Sequence, residues 1–117
     1  MDKLEKYQTA LTELLQSYVS FFAGSSAAVK PQMFIDRERN HFQLQKVGWD
    51  SQKQQFVFGV LFHFDIIGDK IWLQLNNTEF QVVDELIEMG VPKSDIVLGF
   101  QPPAFRQPDA QRQLETA

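Results

Sequence analysis

At 117 residues the chain is one domain's worth of sequence, and its 44% hydrophobic, 13% aromatic and 22% charged composition is that of a globular protein, not a disordered one. It has no cysteine and only two histidines, His41 and His63, which excludes disulfide scaffolds, thiol nucleophiles and every cysteine-ligated metal site. Eleven Lys and Arg against fifteen Asp and Glu give a net charge of −4, so the molecule as a whole is repelled by a phosphate backbone.

The opening Met1-Asp2-Lys3-Leu4-Glu5-Lys6 mixes charges of both signs with no apolar segment after it, unlike a signal peptide. The longest apolar run, Phe56–Phe62, is seven residues where a membrane helix needs about 20, so no membrane association and a cytoplasmic location are expected. Residues 2–22 predict the first helix: Leu4, Tyr7, Leu11, Leu14, Leu15, Tyr18 and Phe22 recur at three- and four-residue spacing. Gly24-Ser25-Ser26 is its stop signal. Two strands follow at 31–37 and 41–49, separated by the polar turn Asp36–Asn40. Alternation slips after Leu44, since Phe42 and Leu44 share one face while Val47 and Trp49 fall on the other. A bulge near Gln45–Lys46, or a loop from Gly48 on, accounts for this.

Residues 54–67 predict a central strand in which Phe56, Phe58, Val60, Phe62, Phe64 and Ile66 form one apolar face. Gly68-Asp69 then makes a two-residue type II′ turn into strand 70–76. That register pairs Ile66 with Ile71, Phe64 with Leu73 and Phe62 with Leu75, and sets Asp65 opposite Trp72 and His63 opposite Gln74. A second helix is expected over 78–89, with Thr78 and Gln81 as a capping box and Gly90 and Pro92 as its stop. Ile96-Val97-Leu98 is apolar and extended, and Gln101-Pro102-Pro103 ends it. Residues 1–106 form a single domain in this reading, and 107–117 form a polar, flexible tail.

The pattern predicts an α+β fold: a four-stranded antiparallel sheet with two main helices covering one face. The reverse face carries Val57, Leu61, Trp72 and Trp49 among His63, Asp65 and Gln74. That much apolar area wants cover, so a twofold homodimer or higher homo-oligomer on this face or on a sheet edge is expected.

Three constellations bear on chemistry. His63 and Asp65 lie two apart on one strand and point the same way, roughly 7 Å apart. A carboxylate beside an imidazole suits base catalysis or metal binding, but a metal needs a third ligand, and His41 supplies it only if the strands bring it near. No metal and no cofactor are therefore expected. Asp36 and Glu38 are interleaved with Arg37 and Arg39, and with Asp50 they read as solvated turns with weak surface ion pairs. Arg37, Arg39, Lys46 and Lys53 with Trp49 make a thin basic strip over 37–53 that could follow a single strand of nucleic acid. There is no Walker loop, G-x-G-x-x-G, G-x-S-x-G or H-E-x-x-H.

The order of segments resembles the fdxN element excision controlling factor family, the XisI-like proteins of cyanobacteria. The resemblance is carried by Met1–Tyr7, Asp36–Leu44, Val47-Gly48-Trp49, His63-Phe64-Asp65-Ile66, Lys70–Gln74, Thr78-Glu79 and, most specifically, Gly90–Pro103. The family usually has histidine where this chain has Gln101. The resemblance implies a role in programmed DNA-element excision during heterocyst differentiation, beside a site-specific recombinase and a companion excision factor. It implies no catalytic residues. The expectation is a non-enzymatic accessory protein that acts through protein contacts, with Trp49, His63, Asp65, Trp72, Gly99, Phe100, Gln101, Pro102 and Pro103 as the partner or oligomer surface. Two alternatives stay open: a small hydrolase or nuclease component using His63 and Asp65, and direct DNA contact through the basic strip.

Overall fold

Asp2 starts the first helix. Its carboxylate accepts a hydrogen bond from the Glu5 amide at 2.8 Å and caps α1 (Lys3–Ala23). The computed structural model describes residues 2–24 and 28–117; Gly24 ends α1, while Ser25 and Ser26 of the expected stop lie outside the described residues. Tyr7, Leu11, Leu14, Leu15 and Tyr18 of the predicted stripe are buried. Gln8, on the polar side of that stripe, is buried too. Its amide donates to the Arg37 carbonyl at 3.0 Å and to Asn40 Oδ1 at 2.8 Å, which ties α1 to the first hairpin turn.

Strands β1 (Val29–Asp36), β2 (His41–Asp50), β3 (Gln55–Ile67) and β4 (Lys70–Asn76) form an antiparallel meander, as predicted. After helix α2 (Val82–Glu88) comes strand β5 (Ile96–Leu98), and the sheet order is β1-β2-β3-β4-β5. β5 runs parallel to β4, with Trp72 opposite Val97. The expected four-stranded antiparallel sheet is therefore a five-stranded mixed one. The α2 crossover returns the chain alongside β4 in the same direction, where the extended apolar Ile96–Leu98 segment completes the edge.

The β3–β4 turn has the predicted chemistry. Gly68 has φ +62° while Asp69 stays out of the left-handed region, which is the II′ pattern. Ile66 faces Ile71 and Phe64 faces Leu73. The register then shifts between His63 and Phe64: Gln74 is an extra residue on β4, and Leu75 pairs with His63 instead of Phe62. Leu75 leaves the core and is exposed. A second shift separates Leu44 from Gln45. Leu44 pairs with Phe62 and Gln45 with Val60, so the extra residue is Leu61 of β3. The bulge sits where the sequence suggested, but on the other strand. Gly48 permits the close approach of the preceding chain: it has φ +148°, and a Cβ there would lie 1.9 Å from the Ala28 carbonyl oxygen.

Helix α2 is shorter than predicted. Thr78 is not its cap, because its hydroxyl donates to Asn76 Oδ1 at 2.7 Å and accepts from the Phe80 amide at 3.1 Å, holding 76–80 as a tight turn. At the other end Val91 N–H donates to the Leu86 carbonyl and Gly90 N–H to the Ile87 carbonyl, both at 3.0 Å, with Gly90 at φ +100°. This is a Schellman ending, and Leu86 and Val91 bury its hydrophobic contact.

α1 and α2 pack on one face over Phe42, Leu44, Phe62, Phe64, Ile71 and Leu73. Residues 107–117 are not a loose tail. Pro108–Thr116 form helix α3, with Pro108 at its first turn. α3 lies on the reverse face, where Ala110 and Leu114 pack with Trp72 and Val97. Polar contacts fasten it. Lys70, itself only 4% exposed, holds Asp109 at 2.9 Å, and Gln113 Nε2 donates to Asp69 at 2.8 Å. Only two apolar side chains announce this helix in the sequence; its other holding points are ions and an amide.

Candidate functional site

The reverse face of the sheet has two ends of different character. β2 runs without a bulge, so His41, Gln43, Gln45, Val47 and Trp49 share the side away from α1. Below the Leu61 bulge, the pairs Gln45–Val60, Val47–Phe58 and Trp49–Phe56 place Val60, Phe58 and Phe56 on that same side. From β1, Phe34 sits opposite Gln43 and belongs with them. The result is an open aromatic surface: Phe34 is 51% exposed, Trp49 49%, Phe56 62% and Phe58 66%. The expectation that Phe56 and Phe58 belong to the core is corrected by the bulge. Leu61, expected on the reverse face, is buried in the core, and Val57 lines a hollow with Phe22, Val29 and Pro31 on the helix side. The slip of alternation in β2 was the signal for this surface.

Next to the aromatics lies a polar network. His41 and Asp65 are cross-strand partners, as are Gln43 and His63. Asp65 Oδ1 lies 2.7 Å from His41 Nδ1 and 2.8 Å from His63 Nε2. Asp65 Oδ2 accepts from Gln74 Nε2 at 3.1 Å. His63 Nδ1 lies 2.8 Å from Gln43 Oε1, whose own amide nitrogen donates to Gln45 Oε1 at 3.4 Å. Gln45 in turn donates to Gln32 at 2.7 Å. Burial pushes the Asp65 carboxyl up, but the hydrogen bonds from His41, His63 and Gln74 outweigh it and hold the group below the usual carboxylate range. The strands thus bring His41 to His63 and Asp65, which the sequence left undecided. His41 and Gln43 were not among the expected surface residues.

The other end of the face is closed. Trp72, expected on a partner surface, is 1% exposed beneath α3. The Arg106 guanidinium stacks over its ring at 5.0 Å and donates to the Gly99 carbonyl at 3.1 Å. Gly99 continues the sheet by donating its N–H to the Leu73 carbonyl at 2.9 Å. Phe100, Gln101, Pro102 and Pro103 are exposed beyond it. A cavity of about 460 Å³ lies between this segment and α2, lined by Val83, Leu98, Gln101, Phe105 and Arg106 among others. The basic strip does not assemble. Arg37 and Arg39 sit at one end of β2 and Lys53 beyond the other, roughly 30 Å away for a strand of this length. Lys46 lines the helix-side hollow with Asp50, and Arg39 pairs with Asp36 at 3.3 Å. Among the described residues no helix is long and apolar enough to cross a membrane.

The fold and the segments that carry the resemblance agree with the comparisons. A family model described as XisI protein matches residues 1–110. A crystal structure of a XisI-like protein from Anabaena variabilis is 44% identical, with 89% of this chain and 93% of that chain covered and a TM-score of 0.80. The crystal structure of the fdxN element excision controlling factor XisI from Anabaena variabilis is 29% identical, with 91% of this chain and 100% of that chain covered and a TM-score of 0.75. No curated protein matches the chain. The sheet with its helices is shared across nearly the full length of both structures, and the chain belongs to the XisI family.

Proposed function

We propose that this chain is a non-enzymatic accessory protein of programmed DNA-element excision, the role named for its relative, and that it works in the cytoplasm through protein contacts. The observation that carries this reading is the aromatic surface of Phe34, Trp49, Phe56 and Phe58, each about half exposed or more. Single exposed aromatics are ordinary, but Trp49, Phe56 and Phe58 lie together across the β2–β3 pair, with Phe34 roughly 20 Å farther along the same rigid face, and such a grouping favours burial against another protein. Trp and Phe are also enriched at the centres of protein interfaces. A second copy is the simplest cover, since a twofold axis through the patch makes one surface serve both subunits. The companion excision factor or the recombinase is then engaged at the exposed Phe100–Pro103 segment.

Size-exclusion chromatography with light scattering on the untagged chain tests the reading. A dimer is expected, and Phe58→Glu should convert it to a folded monomer. A wild-type monomer at micromolar concentration, or a variant that assembles unchanged, refutes the homodimer. Pull-down of the companion factor from the native host, weakened by Phe100→Ala, tests the second contact. A companion factor that binds Phe100→Ala as well as wild type removes that surface.

A further inference from the structure

We propose that His41, His63 and Asp65 bind one divalent transition-metal ion, best matched by zinc, on the exposed face of the sheet next to the aromatic surface. The site goes beyond the adaptor reading and does not depend on it. Three donors from two adjacent strands converge there: one ring nitrogen each of His41 and His63 and a carboxylate oxygen of Asp65 lie within 4.8 Å of one another. The nitrogen-to-oxygen separations are 2.7 and 2.8 Å. Tetrahedral zinc with ligands at about 2.0–2.1 Å spaces its donors about 3.3 Å apart, so each nitrogen–oxygen pair must open by about half an ångström while the two imidazole nitrogens draw together. His41 can supply that movement, because its side chain is 53% exposed at the mouth of the hairpin.

The groups around the donors are those a metal site needs. A ligating histidine is oriented by a hydrogen bond at its other nitrogen. Gln43 provides it: with its amide nitrogen given to Gln45, its oxygen faces His63 Nδ1 at 2.8 Å. In that orientation the Nδ1 proton of a neutral His63 goes to Gln43, and the Nε2 lone pair points at Asp65 Oδ1. Two acceptors 2.8 Å apart need a proton or a metal ion between them, and a metal ion at Nε2 fills that place. Gln74 fixes Asp65 through its second oxygen at 3.1 Å. A hollow of about 320 Å³, lined by Phe34, Asp36, Gln43 and both histidines, gives a path from solvent to the donors. Two imidazoles with one carboxylate favour zinc over magnesium or calcium, which prefer all-oxygen shells. Three protein ligands leave a coordination position on the solvent side, where water or a donor from another protein can bind.

Isothermal titration of the untagged full chain with zinc chloride tests the site. One ion per chain is expected at micromolar affinity or better, and His41→Ala and Asp65→Asn should each weaken binding by about tenfold or more. Cobalt(II) should give visible ligand-field bands with the wild type that His41→Ala loses. Circular dichroism of the metal-free variants confirms that they fold; if His41→Ala does not, His63→Gln, which keeps the side-chain bulk, takes its place. Absence of binding at micromolar zinc overturns the proposal. So does binding that the ligand variants leave unchanged, which would place the ion elsewhere on the chain.

Discussion

Trp72 and Phe58 lie on the same face of one sheet, yet one is 1% exposed and the other 66%. Their residue types would put both in a core. What separates them is whether the chain itself supplies a cover. At the β4–β5 end, Arg106, Ala110 and Leu114 close over Trp72. At the β1–β3 end the helices lie on the opposite side and nothing among the described residues crosses Phe34, Trp49, Phe56 and Phe58. Sheet patterning fixes which side a residue points to, and the route of the remaining chain decides whether that side is wet.

The sharpest way to break this comparison is truncation to alanine at both positions. Trp72→Ala should cost about 3–5 kcal/mol in denaturant unfolding, because it empties a closed site beneath α3. Phe58→Ala should stay within about 0.5 kcal/mol at concentrations too low for assembly. Equal effects would mean that the two ends are not differently covered. Next in size is Lys70→Met. The Lys70 ammonium is buried and faces Asp69, Asp95 and Asp109, so its removal should cost about 2 kcal/mol. That is below the range for fully buried pairs, because Asp69 and Asp109 are about half exposed. The loss should fall mainly on α3, seen as faster amide exchange over 108–116.

A smaller effect sharpens the same point through pH. The hydrogen bond from Gln113 leads the causes that hold the Asp69 carboxyl down at about 2; burial opposes it, and Lys70 and Lys3 reinforce it. A group lowered on folding stabilises the fold above its unfolded value and loses that stabilisation as it is protonated. The hold of Asp69 on α3 is therefore complete above about pH 4 and fades as the pH falls toward 2. In a Trp49→Phe background, Trp72 emission should shift to the red over that interval, before global unfolding. Emission that stays constant until the whole molecule unfolds would show that α3 does not depend on this contact.

The sequence was most legible where local chemistry and periodicity agree. The α1 stripe and the II′ turn at Gly68-Asp69 are instances, because a turn type and two inward pairs, Ile66–Ile71 and Phe64–Leu73, independently specify one register. Legibility failed at Leu61 and Gln74, where a bulge adds a residue to one strand only. Alternation read along β3 alone stays perfect, so Phe56 and Phe58 looked internal; the contradiction appears only against β2, where Val47 and Trp49 change sides. Helix α3 was missed for another reason. Its anchors, Lys70–Asp109 and Gln113–Asp69, are polar pairs 39 and 44 residues apart, which no local pattern reveals. The His41–Asp65–His63 cluster needed the β2–β3 register, since His41 and Asp65 meet only once those strands are aligned.

The extra residue at Leu61 makes adhesiveness in this molecule a matter of spacing rather than of composition. Deleting Leu61 would close the bulge into a regular ladder that still sets Phe58 opposite Val47 and Phe56 opposite Trp49, whereas pairing Leu61 directly with Gln45 would turn both phenylalanines to the helix side and Val57 outward. A slip of one residue in how these two strands mate would therefore hide the adhesive surface without exchanging a single phenylalanine, so whatever holds the bulge in place also governs what the molecule can stick to.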